Sequence, residues 1–493
     1  MSKTVTTLLI LVFIHIGNVS GNGDVLNPSH ATMKYQSDAG RYSANVVNLT
    51  LTDAVFLGLR NNRSIRSSYY TRLSEKFDLS VSEDQFTPKM VITSRTTTHR
   101  NDNDRFQKNQ ITPYLTLTSE MGTRFSLSWA NQLNRSNYAG RARSDDITFN
   151  VIQPLLKGAG RDIATAPAKL ARLSETVNKL ALKSSVSNTV TKIIFAYRDL
   201  LQTQEQLRIS RNALERSQKL LEVNRAMIDA GRMAQVELVQ TEADTAGQEL
   251  NVEETLNQFD FSRLELLRLL ALSSETRINA VDNLDAKPLV LDQSQAVNAA
   301  LQQQPDYLTQ IINGKKAAVN LDVAKNNNLW DVSLVGGASQ GRDLYSDHSY
   351  QENSRRWEGY AGVQIEIPIG DLNRRQGIVH AQVEVENQEI FYAEVRQALE
   401  QSVINAVRDI GTRWRQHQIA QRTLELSRKK LDIEKQKLQV GRSSNFQVLS
   451  YEADLRNAES ITLNSLITYL NAETQLDQIL GTTLDSWDIS LND

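Results

Sequence analysis

Ala196-Tyr197-Arg198-Asp199-Leu200 is written a second time in this chain, as Ala406-Val407-Arg408-Asp409-Ile410. Leu214-Glu215 with Ser217 and Lys219 returns as Leu424-Glu425 with Ser427 and Lys429. Gly231-Arg232 returns as Gly441-Arg442, and Glu242-Ala243-Asp244 as Glu452-Ala453-Asp454. Every pair is displaced by 210 positions without a gap. One such match arises by chance, but a constant offset over so long a stretch marks an internal duplication, and a duplication sets the architecture before any single motif does. Upstream, Leu51-Thr52-Asp53-Ala54-Val55 through Leu59 resembles Gln293-Ser294-Gln295-Ala296-Val297 through Leu301, now displaced by 242. The first copy therefore carries 32 additional residues, and residues 99–145 are the place for them.

Each copy contains a very long helix. No Gly or Pro occurs from Lys169 to Ala230, and Pro167 stands where a first-turn proline is tolerated. Ile193, Leu200, Leu207, Leu214, Leu221 and Ile228 recur every seven residues, matched by Val403, Ile410, His417, Leu424, Leu431 and Leu438. Such runs predict coiled-coil seams. About 62 helical residues at about 1.5 Å each extend about 93 Å, longer than any single globular core requires. Gly231 and Gly441 end these helices in the left-handed conformation that suits glycine. Returning helices are predicted over 236–272 and 446–480, and shorter helices over 52–86 and 293–328, the latter interrupted at Pro305.

Between the short and long helices the period changes to two. Val363, Ile365 and Ile367 alternate with polar residues in the second copy, and Ile147, Phe149 and Val151 in the first. Leu115, Leu117, Phe125, Leu127 and Trp129 alternate with Thr and Ser around a Met121-Gly122 turn. Segments with one apolar and one polar side suit a transmembrane barrel strand and also a soluble sandwich. The N-terminus favours the barrel. Lys3, the apolar run Leu8–Ile16 and the small residues Val19-Ser20-Gly21 read as a signal peptide over residues 1–21. No later stretch approaches 18 apolar residues, so an exported membrane protein of this sequence must cross the bilayer as strands.

Composition excludes several classes. The 493 residues carry 55 Lys+Arg against 57 Asp+Glu, a net charge of −2 and a mean hydropathy of −0.41. Nucleic acid would call for a clustered basic surplus. Cysteine is absent, which removes disulfides, thiolate metal sites and a cysteine nucleophile. The histidines are His15, His30, His99, His348, His380 and His417, and none share metal-ligand spacing. His417 occupies a heptad position and reads as a polar core residue that sets register. No P-loop, dinucleotide fingerprint or nucleophile elbow appears. The chain is read as no enzyme, with no metal and no cofactor.

The order helix, strands, very long helix, Gly tip and returning helix, given twice, resembles the TolC-type outer-membrane efflux protein family. Gln153-Pro154-Leu155-Leu156-Lys157-Gly158-Ala159-Gly160 resembles its strand-to-helix junction, and Ile367-Pro368-Ile369-Gly370 is the shorter counterpart. Ala230-Gly231-Arg232 with Val236-Glu237-Leu238, and Val440-Gly441-Arg442 with Phe446-Gln447-Val448-Leu449, resemble the two periplasmic hairpin tips. The resemblance runs from Leu51 to Gly481. It implies an α+β fold: a homotrimeric outer-membrane β-barrel, with about four strands or more from each protomer, continued by a helical coiled-coil tunnel through the periplasm. It further implies a periplasmic adaptor and an inner-membrane transporter as partners, outer-membrane lipid around the barrel, and passive transport in efflux or type I secretion. The domains follow as residues 22–50 extended, 51–272 the first repeat, 273–292 a linker, 293–481 the second repeat and 482–493 a tail.

Family members carry acidic residues six and nine positions beyond the second tip glycine. Here those positions are Gln447 and Ser450, both neutral, while Glu237 stands six beyond the first. Glu237, Gln447 and Ser450 are the gate candidates, and Glu237 equally suits a solvated charge in a helix first turn. Gly231, Arg232, Gly441 and Arg442 are the adaptor-docking candidates; Pro154, Gly158, Pro368 and Gly370 mark the junctions. Trp129, Trp357 and Tyr360 suit an aromatic belt at a membrane interface or packing beside the sheet. The hairpin over Thr112–Asn131 reads equally as a plug, an extracellular flap or added strands. The alternative function is a periplasmic coiled-coil adaptor, although that carries one hairpin rather than two.

Overall fold

The computed structural model describes residues 46–100, 102, 105–137, 140–283, 285–346 and 350–491. The signal peptide and nearly all of the extended segment 22–50 lie outside the described residues. In each copy, a broken short helix leads into the sheet, and the sheet leads into a long helical hairpin. The first copy runs through β1 (Val47–Leu49), α1 (Leu51–Asn61), α2 (Arg63–Glu83), β2 (Lys89–Arg100), β3 (Arg105–Thr118), β4 (Arg124–Ser136) and β5 (Arg141–Pro154). It continues with α3 (Arg161–Ala164), α4 (Ala166–Asp229) and α5 (Val236–Leu269). After β6 (Ile278–Ala280) the second copy comprises α6 (Gln293–Gln303), α7 (Pro305–Asn327), β7 (Asp331–Ser346), β8 (Gln351–Glu366), α8 (Leu372–Gln439) and α9 (Asn445–Leu480), with α10 (Thr483–Ser486) closing the chain.

The short helices are broken in both copies, not only at Pro305. Asn62 stands at the equivalent place in the first copy, and its side chain accepts from the N–H groups of Ser64 and Ile65, capping α2. Gln304 is its counterpart in the second copy, where its side chain accepts from Tyr307 N and Pro305 follows in the first turn.

One antiparallel sheet has the order β2-β3-β4-β5-β7-β8, so the chain places six strands in it, two more than the four that the resemblance implies. The additional pair is β3–β4, the hairpin left open by the sequence. It is neither plug nor flap but lies in the middle of the sheet. Two strands went unforeseen. Half of β2 is the polar run Thr93-Ser94-Arg95-Thr96-Thr97-Thr98, and β7 carries Gly336, Gly337 and Gly341, which interrupt the alternation. Both are identified by their ladders, not by hydropathy.

The core sits beside the sheet, among the helices. Val55, Val186, Ile193, Tyr197, Leu200, Leu266 and Leu270 are fully buried in one cluster. The parallel pair β1–β6 seals it, and Tyr197 donates to the Leu49 carbonyl at 2.8 Å. The repeated motif that revealed the duplication is thus a packing motif. A second cluster, around Val403, Ile410, Tyr469 and Leu476, plays the same part in the second copy. No described helix is long and apolar enough to cross a membrane.

Candidate functional site

The two helical tips end alike. Gly231 at φ 70° and Gly441 at φ 72° adopt the left-handed conformation, which lets the next N–H fold back onto the helix. Arg232 N donates to Met227 O at 2.8 Å, and Arg442 N to Lys437 O at 2.8 Å. It is the arginine backbone that caps each helix. The guanidinium groups of Arg232 and Arg442 are therefore not needed for capping, and both residues are exposed.

Beyond the glycines the tips diverge. Ser444 caps α9 through Gln447 N, and Ser443 Oγ donates to Glu434 Oε1 at 2.6 Å. The first returning helix lacks a side-chain cap and carries Glu237 in its first turn, where the helix dipole favours a carboxylate. Glu237 is half-buried, and its Oε2 is buried without a hydrogen-bond partner. No hydrogen bond joins Glu237, Gln447 and Ser450; Ser450 is exposed, and Gln447 is held through its backbone.

The structure instead brings together three residues that sequence reasoning missed. Asn224 Nδ2 donates to Thr241 Oγ1 at 2.7 Å and to Asn445 Oδ1 at 2.9 Å. Asn445 Nδ2 donates to Thr241 Oγ1 at 2.9 Å and reaches the Glu237 carbonyl at 3.4 Å. All three side chains are buried. This knot ties the first hairpin to the start of the second return helix, and Met233 packs on the apolar cluster of Leu431, Leu438, Val448 and Leu455 beside it. A signal was present: Asn224 is the fourth member of the series Thr203, Ser210, Ser217, Asn224, spaced by seven.

Higher up, ion pairs join the copies. Arg216 Nε lies 2.8 Å from Glu452 Oε2 and its Nη2 3.5 Å from Glu459, while within the second copy Lys435 Nζ lies 2.6 Å from Glu452 Oε1. At the core level Arg198 Nη1 donates to Leu470 O at 2.6 Å and Thr474 Oγ1 at 2.8 Å. Burial pulls this guanidinium down to about 10, against the opposing pull of Glu473 and Asp477. The same burial raises both carboxyls above the usual range. His417 is buried, shares a hydrogen bond with Ser465 at 3.0 Å, and packs beside Trp414. Burial lowers its pKa, because a charged imidazolium is disfavoured away from water.

The junctions hold sheet and helix together. Leu155 N donates to Val332 O at 2.7 Å, and Gly158 N to Asn326 Oδ1 at 2.7 Å, so the segment after Pro154 is fastened to the other copy. Gly158 and Gly370 both have positive φ, and after Pro368 the Asp371 side chain caps α8 through Asn373 N. Among the described residues no cluster of His, Cys, Asp or Glu could hold a metal ion.

The sheet has two chemically distinct faces. Its register aligns Met90, Leu115, Leu127, Phe149, Ala338 and Gly359 in one row across all six strands. Val91, Tyr114, Ser128, Thr148, Ser339 and Glu358 form a row on the other face. Trp129 and Trp357 share one row of the apolar face, through Ile147 and Gln340. Tyr360 does not join them: it lies on the polar face, paired with Gly337, and donates to Asn150 Oδ1 at 3.0 Å.

Residues 296–482 match the sequence pattern of the family described as outer membrane efflux protein. Solved structures share the fold across most of the chain. CusC, described in connection with folding and transmembrane channel formation, is 16% identical, with a TM-score of 0.67, covering 88% of this chain and 93% of that one. The Campylobacter jejuni CmeC outer membrane channel is 14% identical at TM-score 0.65, covering 88% and 86%. The Neisseria gonorrhoeae MtrE outer membrane channel, in its open state, is 13% identical at TM-score 0.65, covering 88% and 89%. No curated protein matches the sequence.

Proposed function

With residues 296–482, nearly all of the second repeat, matching the outer membrane efflux protein family, we propose that this chain is the passive outer-membrane channel of a tripartite efflux or type I secretion assembly. The observation that carries the reading is that the protomer is incomplete. Strands β2 and β8 are the two ends of an open sheet whose apolar face is exposed. An open edge in a bilayer leaves backbone groups unpaired, so the sheet must close against copies of itself. The helices repeat the demand. On α8, Val383, Ile390, Ile404, Ile419, Leu426 and Ile433 are exposed, and on α5 so are Val239, Leu250, Phe261 and Leu264. These stripes, on the two outer helices, suit a neighbouring copy on each side. A homotrimer joins the sheets into one barrel and the hairpins into one tunnel.

The sequence has no nucleotide-binding motif, in keeping with downhill transport through a conduit, with the drive coming from an inner-membrane transporter. The free guanidinium groups of Arg232 and Arg442 at the periplasmic tips are the contacts offered to an adaptor. Glu237, next to the Asn224–Thr241–Asn445 knot, supplies the carboxylates of the entrance; Gln447 and Ser450 leave the second tip neutral. Heat-resistant trimers in the outer-membrane fraction, forming pores in a planar bilayer, are the expected result. Monomers without pore activity would defeat the reading. Exchanging Arg232 and Arg442 for Glu is expected to abolish transport in cells and leave trimers intact; undiminished transport would remove the docking assignment.

A further inference from the structure

We propose that the two strands β3 and β4 are wall strands of the pore, so that three protomers close an eighteen-strand barrel about half as wide again as one built from four strands each. This rests on the trimeric channel reading above and adds the dimension of its outer-membrane segment.

The argument begins with register. If β3–β4 were a plug or a flap, its faces would not continue those of its neighbours. They do, on both sides. The apolar row Leu117, Phe125, Val151, Gly336 and Ala361 runs from β3 through β8 without a break, directly beside the row of Met90, Leu115, Leu127 and Phe149. The polar row of Ser126, Asn150, Gly337 and Tyr360 includes Thr116 of β3 and Lys89 of β2. Strand length agrees: β3 and β4 have 14 and 13 residues, against 14 for β5. An interruption falls at Thr112-Pro113, where the β3–β4 ladder skips from Ile111↔Asn131 to Tyr114↔Ser128, as proline lacks an N–H to give.

The turn between these strands is built into the junction below it. Gly122 has φ +86°, and a Cβ there would lie 2.4 Å from the Gly158 carbonyl oxygen. Thr123 Oγ1 donates to Gln153 Oε1 at 2.5 Å, and Arg161 pairs with Glu120 at 3.0 Å. The turn thus rests on the segment that launches the first long helix, which a hairpin folded into the pore or standing outside the cell could not reach.

Width follows from geometry. Strands about 4.8 Å apart and tilted about 40° give a backbone diameter of about 36 Å for eighteen strands and about 24 Å for twelve. Interior side chains leave an opening wide enough for a helix or hairpin of a polypeptide. The outer-membrane segment then imposes no size limit on small cargo, and selection by size falls to the hairpin tips.

The chain has no cysteine, so single-cysteine reporters have a clean background. Ser128→Cys is expected to react with a membrane-impermeant maleimide at least tenfold faster than Leu127→Cys, because adjacent strand residues face lumen and lipid in turn. Equal reaction at both positions in intact, conducting trimers would overturn the wall assignment while leaving the channel reading standing; failure to form pores at all would instead strike the channel reading. Excising residues 101–136 joins β2 to β5 and leaves four strands. The largest neutral polymer admitted from the extracellular side should then shrink in radius by at least about one third. An unchanged polymer limit in trimers of the shortened chain would also overturn the proposal.

Discussion

The two hairpins descend from one sequence, yet below the core they are held by different chemistry. In the first, Thr203, Ser210, Ser217 and Asn224 are buried at successive sevens, facing Thr241, Thr245, Gln248 and Thr255. Their hydroxyls and amides bond across the seam, with Ser217 Oγ 2.9 Å from Thr245 Oγ1 and Asn251 Nδ2 3.0 Å from Ser210 Oγ. In the second, Leu431, Leu438, Val448 and Leu455 form an apolar cluster at the corresponding depth, which Leu220 of the first hairpin joins. An apolar seam is non-directional and tolerates sliding; a hydrogen-bonded seam has one register and a discrete broken state. The first hairpin is thus fixed in register by directional bonds and the second by apolar packing. Leu221, counterpart of Leu431, is only half-buried, because the buried stripe of α4 has moved to Ala213, Ser217, Leu220 and Asn224.

This contrast is open to attack from four sides. The largest effect belongs to Leu431→Ala, which should cost about 2–5 kcal/mol by thermal or denaturant unfolding of the trimer. Leu221→Ala should cost distinctly less, and equal losses would erase the distinction between the two seams. Next comes Asn224→Ala, which leaves Thr241 and Asn445 without their shared partner, at about 1–3 kcal/mol. It is also expected to raise the open probability of single channels, and a loss of stability without any change in gating would confine the knot to a structural part.

A smaller effect is set by pH. Leu207 of the first hairpin corresponds to His417 of the second. Burial lowers the imidazole pKa in the fold, so the unfolded chain binds a proton more readily. His417 therefore contributes no penalty above the unfolded value of about 6.5 and destabilises increasingly as pH falls below it. His417→Leu should remove this part of the acid sensitivity. Comparing wild type with variant isolates it from Glu473 and Asp477, whose raised values act in the opposite sense. Identical pH profiles would place the imidazole in a solvated site.

The smallest effect is expected at the tips. Glu237→Gln should weaken block by trivalent cations on the order of twofold, since one ring of three carboxylates remains where the second tip is neutral. No change at all would mean that charge has no part in this gate.

Duplication, helix length, tip glycines and the period-two segments were all legible in the sequence, because each rests on local rules: propensity, capping and face alternation. Ile193, Leu200 and Leu207 are buried as their spacing predicts, while Leu214, Leu221 and Ile228 are only half-buried. An α-helix drifts from a strict seven-residue repeat, and small polar residues let the seam follow that drift. Which face a residue takes, by contrast, depends on its partner. Tyr360 alternates with apolar neighbours as a belt residue would, but the pairing of β7 with β8 puts it over Gly337 on the polar face. Strands β2 and β7 were invisible because threonines and glycines carry little hydropathy signal, and only long-range ladders reveal them. The knot of Asn224, Thr241 and Asn445 joins residues more than 200 positions apart. The sequence by itself determined that this is a duplicated chain of strands and long hairpins; the tertiary structure alone decided that six strands share one sheet and that a polar knot binds the tips, because pairing register and side-chain satisfaction are properties of neighbours in space.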